Sequence, residues 1–377
     1  MVTRPRPGHR GAPSPRPPRR GGRVLRVLAV IAAAAVVVTG GGWLLVRHYT
    51  NNITRKNVFA NLSGRPDRLA GKAETVLLVG SDSRAGAVNG QFQGSGADFV
   101  GGARSDTAIL AHLSADRNRA LLVSIPRDSY VAIPACPDAT GVVHLPVHGK
   151  FNAAFAEGGG GCSVATVEAL TGVRVDHYAE VDFAGFQSMV SALGGVDVCL
   201  PSASVDVMSG LNLPAGVSHV DGEQALAFVR ARYALGDGSD LGRIQRQQQF
   251  IAAVLRKATS TGLLLRPDRL LAFLDAATKS VTTDSGLSVV DLRELATGLK
   301  GLDPAKVTFV TVPLADADHP VDGVGSTVLW DDAQAGALWA AMRTDGVVPA
   351  AGAPGPAPAA GAPPGTSTAA QDPCARR

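Results

Sequence analysis

Acidic residues are missing from the first 66 positions, which hold 12 of the 36 Lys and Arg and none of the 32 Asp and Glu. Residues 67–377 therefore carry 24 basic against 32 acidic groups, and the formal charge of +4 belongs to the front end. A body that is basic throughout is excluded, and with it a main domain that grips nucleic acid through phosphate contacts. Cysteine is scarce, and no spacing among its four copies, Cys136, Cys162, Cys199 and Cys374, resembles a zinc site. A Ser-His-Asp or Cys-His set is lacking as well. His144 and His148 stand four apart, but Pro146 between them breaks the helix that would align them as ligands. No repeat of solenoid period occurs, and 44 Gly with 24 Pro are too few for a chain disordered throughout.

What is present begins with eight arginines in residues 1–26, among Pro and Gly, a segment that buries no apolar surface and reads as a disordered cytoplasmic tail. Val27 to Val46 is uncharged, and its 20 residues span about 30 Å as a helix, the thickness of a hydrocarbon core. The arginines on one side set the N-terminus inside and the remainder outside, with Trp43 and Tyr49 at the outer interface. A cleaved signal peptide would have a shorter apolar region and a small-x-small site. The run reads as a single-pass membrane anchor. Disulfides are permitted beyond it, and Cys136 with Cys162, both in Gly/Pro-rich sequence, form the favoured pair. Cys199 reads as a buried thiol and Cys374 as unpaired.

Residues 47–72 lack periodicity and read as a stalk, and 346–377, rich in Ala, Pro and Gly, as a disordered tail. Between them, residues 73–345 alternate short apolar runs with helical patterns. Strands are expected at Thr75–Val79, Thr107–Leu113, Leu121–Ile125, Tyr178–Val181, Val196–Leu200 and Val307–Val312. Helices are expected at Ser163–Leu170, Phe183–Leu193, Glu223–Val229, Leu241–Ala258 and Arg269–Ala277. This alternation predicts one α/β domain, a mixed central β-sheet flanked by helices on both faces.

Polar clusters fall at the ends of these elements. The first strand runs into Asp82 and Arg84, and Arg104 and Asp106 open the next. If the two strands are antiparallel neighbours, Asp82 and Asp106 meet and offer hard oxygens to Mg²⁺ or Mn²⁺. Each also fits a turn cap. Arg127 leaves the third strand, and Lys150 precedes a helix. Arg230 and Arg232, two apart, share a side in extended chain. On the following helix Arg243, Gln247, Phe250 and Val254 recur at i, i+4, i+7 and i+11. That stripe starts polar near a helix N-terminus, where anions bind, and turns apolar. Arg243 reaching out to solvent is the competing reading. Arginine forks facing two carboxylates describe a site for a pyrophosphate linkage with a divalent cation.

The segments VLLVGSDSR (76–84), ARSDTAIL (103–110), VSIPRDSYVAIP (123–134), KFNAAFAEGG (150–159), VDHYAEVDFAGFQSMVSALGGVDV (175–198), GEQALAFVRAR (222–232) and SDLGRIQRQQQFIAAVL (239–255) resemble, in order, the LytR–CpsA–Psr cell-wall ligases. Heavy Arg, Ala and Gly usage matches an actinobacterial member. The resemblance, covering 75–257, implies transfer of a glycopolymer phosphate from a polyprenyl-pyrophosphate carrier to peptidoglycan, at the muramic acid C6 hydroxyl, with a phosphodiester formed. It implies that Asp82 and Asp106 hold the metal. It also implies that Arg127, Lys150, Arg230, Arg232, Arg243 and Gln247 bind pyrophosphate, with Arg84 and Arg104 as outlying members. Asp82, Asp106, Arg127 and Arg243 are the expected catalytic set. The family's lipid pocket would add a second role to Phe250, Ile251 and Val254, beside plain core packing. Alternatives are a polyprenyl-pyrophosphate hydrolase and a non-enzymatic membrane-anchored regulator or wall-binding module.

Overall fold

The computed structural model of the chain describes residues 39–69, 71–82, 105–138, 140–231, 240–259, 266–288, 302–346 and 366–370, with Asp291, Glu294 and Cys374. Two compact units divide after His48. In the first, residues 39–48 are helical, and the Arg47 guanidinium lies 5.2 Å from the Trp43 ring centroid. Among the described residues no helix is long and apolar enough to cross a membrane, and residues 27–38 of the expected span lie outside them.

The second unit, Tyr49–Arg377, is built on an eight-stranded mixed sheet. Its strands are β1 (Thr54–Lys56), β2 (Glu74–Ser81), β3 (Ser105–Leu113), β4 (Ala120–Ile125), β5 (His177–Asp182), β6 (Val281–Asp284), β7 (Val307–Thr311) and β8 (Ser367–Thr368). Their order across the sheet is β1-β6-β5-β2-β3-β4-β7-β8. β2 is antiparallel to β3 and β3 to β4, while β5 runs parallel to β2 and β7 parallel to β4.

Period-two alternation sorts side chains to the two faces. Leu77 and Val79 of β2 enter a core with α1 (Phe151–Thr171), while Leu78 and Gly80 face a cavity. Next come α2 (Phe183–Ala192), α3 (Gly222–Arg230), α4 (Asp240–Thr259), α5 (Pro267–Ser280) and α6 (Asp332–Arg343). α6 joins α1 through Leu338, Trp339 and Met342. α4 covers the other face through Ala252, with Ile251 and Leu255 alongside, and Phe250 binds it to Phe186 of α2 and Phe228 of α3. Helices therefore flank the sheet on both sides, as expected.

Local signals set these helices. Asp182 caps α2 by accepting from the Gly185 amide at 2.7 Å. Asp221 and Gln224 form a capping box on α3. At Gly222 an added Cβ would collide with the Gln187 carbonyl, so the close approach of α2 and α3 requires glycine. α1 starts at Phe151, 12 residues before the expected Ser163, because Gly158 and Gly159 (φ 61°) kink it and disguise its first half as loop.

The segments read as a stalk and as a disordered tail both contribute described residues to the domain. Residues 47–72 contribute edge strand β1 and buried Ile53 and Val58, and Arg65 holds buried Glu168 at 2.7 Å. A three-residue strand and one ion pair are too short to give a periodic signal. In the tail, Ser367–Thr368 pair with β7, and Ala369 is buried with its carbonyl accepting from Arg256 at 2.6 Å.

The Cys136–Cys162 disulfide forms as expected, with Cα atoms 5.3 Å apart. Cys199 is not a buried thiol, and Cys374 is not unpaired: they form a second bridge with a Cα separation of 5.8 Å. Replacing both Cys136 and Cys162 by Ser, which reopens a 26-residue span, is expected to lower unfolding free energy by about 3–4 kcal/mol on loop-closure grounds, read by guanidinium denaturation.

His177 on β5 meets buried Asp284 at 3.2 Å. Burial works against the His177 charge, but the hydrogen bond and attraction of Asp284 outweigh it and raise its pKa above the ordinary 6.5. Burial likewise opposes the Asp284 charge, yet His177 and the Tyr178 amide leave its pKa lowered. The His177 contribution is thus complete below the ordinary imidazole value and lost as pH rises through the raised one. Melting temperature is expected to fall, as pH rises above the ordinary imidazole value, more steeply in the parent chain than in His177→Gln.

Candidate functional site

The site is assembled at one end of the sheet. β2 and β3 pair as Gly80 with Thr107, then Ser81 with Ser105, so the register skips Asp106. An extra residue in a bulge is unpaired in the ladder and its side chain is re-aimed. Asp82 directly follows Ser81, which brings the two aspartates to the same end of the sheet despite the long intervening loop.

Arg127 stands two residues beyond β4. Its loop is tied to the start of α1, because the Asn152 amide donates to the Arg127 carbonyl at 3.0 Å and the Phe151 amide to the Ser129 carbonyl at 2.9 Å. Lys150 ends a strand paired with Tyr130–Ile133 and precedes α1. These connections bring four charged elements together. Arg127 Nη1 lies 2.7 Å from Asp106 Oδ1, and its Nε is 3.4 Å from both Asp128 Oδ2 and Asp240 Oδ1. Lys150 Nζ is 3.1 Å from Asp128 Oδ1. Arg243, 4% exposed, meets Asp240 Oδ1 at 2.7 Å and donates to the Asp106 carbonyl at 3.1 Å. Arg243 therefore turns inward rather than out to solvent.

Burial is the largest single effect on Arg127 and opposes its charge. Asp240, Asp106 and Asp128 together outweigh it and hold the guanidinium pKa above its ordinary value. The cluster is an interlock of three carboxylates with two guanidinium groups and one ammonium. Each fork is oriented before any ligand arrives, while exchange of carboxylate for phosphate oxygens remains possible.

Next to the cluster a cavity of about 630 Å³ opens between sheet and helices, within the range of ligand pockets. Asp106, Arg230, Arg243 and Gln247 form a polar part of its wall, and Leu78, Ile109, Val181, Phe186, Phe250 and Ile251 an apolar part. The Arg230 guanidinium stacks 4.7 Å over the Phe183 ring. Of the three residues given a lipid role, Phe250 is 2% exposed and both lines the cavity and packs the core. Ile251 is half-buried on the wall, and Val254 packs against the core without lining the cavity.

Asp82, Asp106, Arg127, Lys150, Arg230, Arg243 and Gln247 all fall among the described residues, and Asp106, Arg127, Lys150 and Arg243 share one linked cluster. Arg84, Arg104 and Arg232 lie outside the described residues. Asp240, which the sequence does not single out, links Arg127 to Arg243. Its position three residues before Arg243 on a helix was the available signal. Buried Gln248 was missed too: it donates to Ser124 at 3.0 Å and Thr311 at 3.3 Å, fastening α4 to β4 and β7. His144 and His148 lie in hairpins, and His144 Nε2 is 3.5 Å from Asp138.

Among the described residues no group of three or more His, Cys, Asp or Glu could hold a metal. Two hard carboxylates at one sheet end nevertheless fit Mg²⁺ or Mn²⁺, which binds through one or two carboxylates plus substrate phosphates.

Comparison with known proteins gives a consistent result. The profile described as the LytR_cpsA_psr family matches residues 46–344. "Probable cell wall biosynthesis protein LcpB" of Corynebacterium glutamicum is 40% identical over 271 residues, 71% of this chain and 60% of that protein. The chain thus spans less than two thirds of this relative's length. The "Polyisoprenyl-teichoic acid--peptidoglycan teichoic acid transferase TagU" of Oceanobacillus iheyensis is 30% identical over 260 residues, covering 69% and 72%. The structure titled "TagT bound to LI-WTA" superposes with a TM-score of 0.53 at 27% identity, over 73% of this chain and 90% of that one.

Exchange of Phe250 for Ala is expected to cost about 3–5 kcal/mol of stability by denaturant titration, because it removes a buried ring packed against Phe186 and Phe228. Ile251→Ala is expected to cost less and to weaken binding of long-chain lipids in a fluorescent-lipid displacement assay.

Proposed function

The chain belongs to the LytR–CpsA–Psr family, and on that premise we propose that it is a membrane-anchored phosphotransferase. It moves a glycopolymer phosphate from a polyprenyl-pyrophosphate carrier onto peptidoglycan. The observation that carries this reading is the juxtaposition of an oriented cation cluster, Arg127, Lys150 and Arg243, with a largely apolar cavity. A ligand with a doubly charged head and a hydrocarbon tail is what such an arrangement accommodates. A binding module for wall polymer would need no such tail pocket. Relatives named as acting on polyisoprenyl-teichoic acid support the carrier class.

In this reading Arg127, Arg230 and Arg243 clamp the diphosphate, Gln247 adds an amide contact, and Lys150 adds a point charge. Asp82 and Asp106 would hold Mg²⁺ or Mn²⁺, which supplies charge neutralisation at the diphosphate. The acceptor sugar hydroxyl attacks the polymer-side phosphorus. The bond from that phosphorus to the bridging oxygen breaks, and polyprenyl phosphate leaves. The hydroxyl proton is carried off by the departing polyprenyl phosphate, whose second ionisation lies at about pH 6. Phosphoryl transfer depends chiefly on position and electrostatics, so the preset forks carry most of the effect. The two disulfides support an oxidising, extracytoplasmic location.

Arg243→Ala is expected to lower transfer from a lipid-pyrophosphate donor by about 10²–10³-fold, the scale of one lost electrostatic stabiliser, with circular dichroism unchanged. Parental activity in that variant would remove Arg243 from the site.

A further inference from the structure

Helix α5 is notable for what it does not bury. Leu270, Leu271, Phe273 and Leu274 are four of its 14 residues, yet none of its residues is buried. Leu271 and Leu274, at i and i+3, are 43% and 37% exposed. An ordinary surface helix turns such a stripe to the core. A second apolar exposure crowns the hairpin of Ser204–Asp206 with Leu211–Leu213, where Val205, Val207 and Met208 are 64%, 89% and 68% exposed. The hairpin borders the cavity, which Asp206, Met208 and Ser209 line, and the strand residue that follows α5, Val281, lines it too.

The start of the domain indicates what covers these surfaces. Tyr49 donates its hydroxyl to the Leu271 carbonyl at 3.5 Å, and the Asn52 amide donates to Asp275 and Thr278 at 3.1 and 3.2 Å. The uncharged run ends three residues before Tyr49, at Val46. Three residues of chain reach at most roughly 11 Å. A chain leaving a bilayer at that point holds α5 close to the headgroups. α5 and its N-cap carry Arg266, Arg269 and Lys279 against Asp268 and Asp275, a net of +1, with Arg266 paired to Asp268 at 3.7 Å and Lys279 to Asp275 at 2.7 Å. An exposed apolar stripe with a small positive excess suits the interface of an anionic bilayer.

We infer that the α5 stripe and the 204–213 hairpin tip rest in the headgroup layer of an anionic bilayer, so that the cavity lined by Met208 receives the polyprenyl tail from that layer. The inference rests on the lipid-carrier reading above and adds the route by which the carrier enters. The tail is never drawn through water, because the apolar wall of the cavity continues into apolar side chains already in lipid.

The test uses the full chain reconstituted in phosphatidylcholine–phosphatidylglycerol vesicles. Its four cysteines are all in disulfides, so a single introduced cysteine takes a fluorophore selectively. Leu274→Cys, Val207→Cys and, as control, Val143→Cys are labelled with NBD and quenched with lipids carrying doxyl groups on their acyl chains. Val143 is 60% exposed on the hairpin next to Cys136, which is bridged to α1 on the opposite face of the sheet. Labels at 274 and 207 are expected to be quenched at least about twofold more than at 143, as for side chains seated at the acyl boundary. A solvent-like signal at either position, or equal quenching at 143, overturns the inference. The double variant L271E/L274E is expected to slow transfer from a vesicle-embedded carrier about tenfold while sparing a short-chain, water-soluble pyrophosphate donor. Equal activity of this variant and the parent on the embedded carrier also overturns it. If the parent chain transfers from neither donor, the proposed reaction fails, and the quenching pattern alone then decides the membrane face.

Discussion

A guanidinium as enclosed as that of Arg243 persists in a folded chain only when opposite charge surrounds it, because desolvating an unpaired cation costs several kcal/mol. Asp240 and the Asp106 carbonyl meet that need for Arg243, and Asp240 extends the same service to Arg127. Asp128 then links Arg127 to Lys150. The constraint reaches outward from these pairs. Asp106 occupies its place because the β2–β3 register skips it, and Asp240 because α4 is pinned to the sheet through Gln248. Partners are shared along the chain of pairs, so displacing one member weakens the hold on its neighbours. The cations are thus set in position before a ligand binds, and the ordering cost is met during folding.

The second property, an apolar cavity, follows from the same architecture. α1 and α6 pack one face of the sheet densely, whereas on the other face α2, α3 and α4 form a separate core around Phe186, Phe228 and Phe250 and stand off from β2 and β5. Gly80 contributes no side chain to fill the gap, and Ala179 only a methyl group. Phe250 belongs to both core and wall, so stability and pocket shape are coupled at that residue. The polar cluster meets this cavity through Arg243 and Gln247, successive turns of one helix.

Much of this arrangement could be read in the sequence because its physics is periodic. The short apolar runs 75–79 and 107–113 marked strands β2 and β3, and the spacing of Arg243, Gln247 and Phe250 placed charge, amide and ring on one stripe of α4. What could not be read lacked a period. The glycine kink at Gly158–Gly159 hid half of α1, and strand β1 is three residues long. The hairpin at 204–213 has strands of only three residues, and that at 314–330 is broken by register shifts and holds no long apolar run. Asp240 stands three residues before Arg243 on one helix, but its ion pair with Arg127 depends on a tertiary meeting of the β4 exit and α4. Cys374 reaches Cys199 across 175 residues, a pairing that spacing alone leaves open among three possibilities.

The central claim is that a diphosphate head and an apolar tail are bound at one continuous site. The most direct measurement is a crystal structure of the chain soaked with geranyl pyrophosphate and Mg²⁺. The account predicts phosphate oxygens within hydrogen-bonding distance of Arg127 and Arg243, with the prenyl chain lying between Leu78 and Ile251. Density for the ligand away from these arginines, or a prenyl chain outside the cavity, would contradict it.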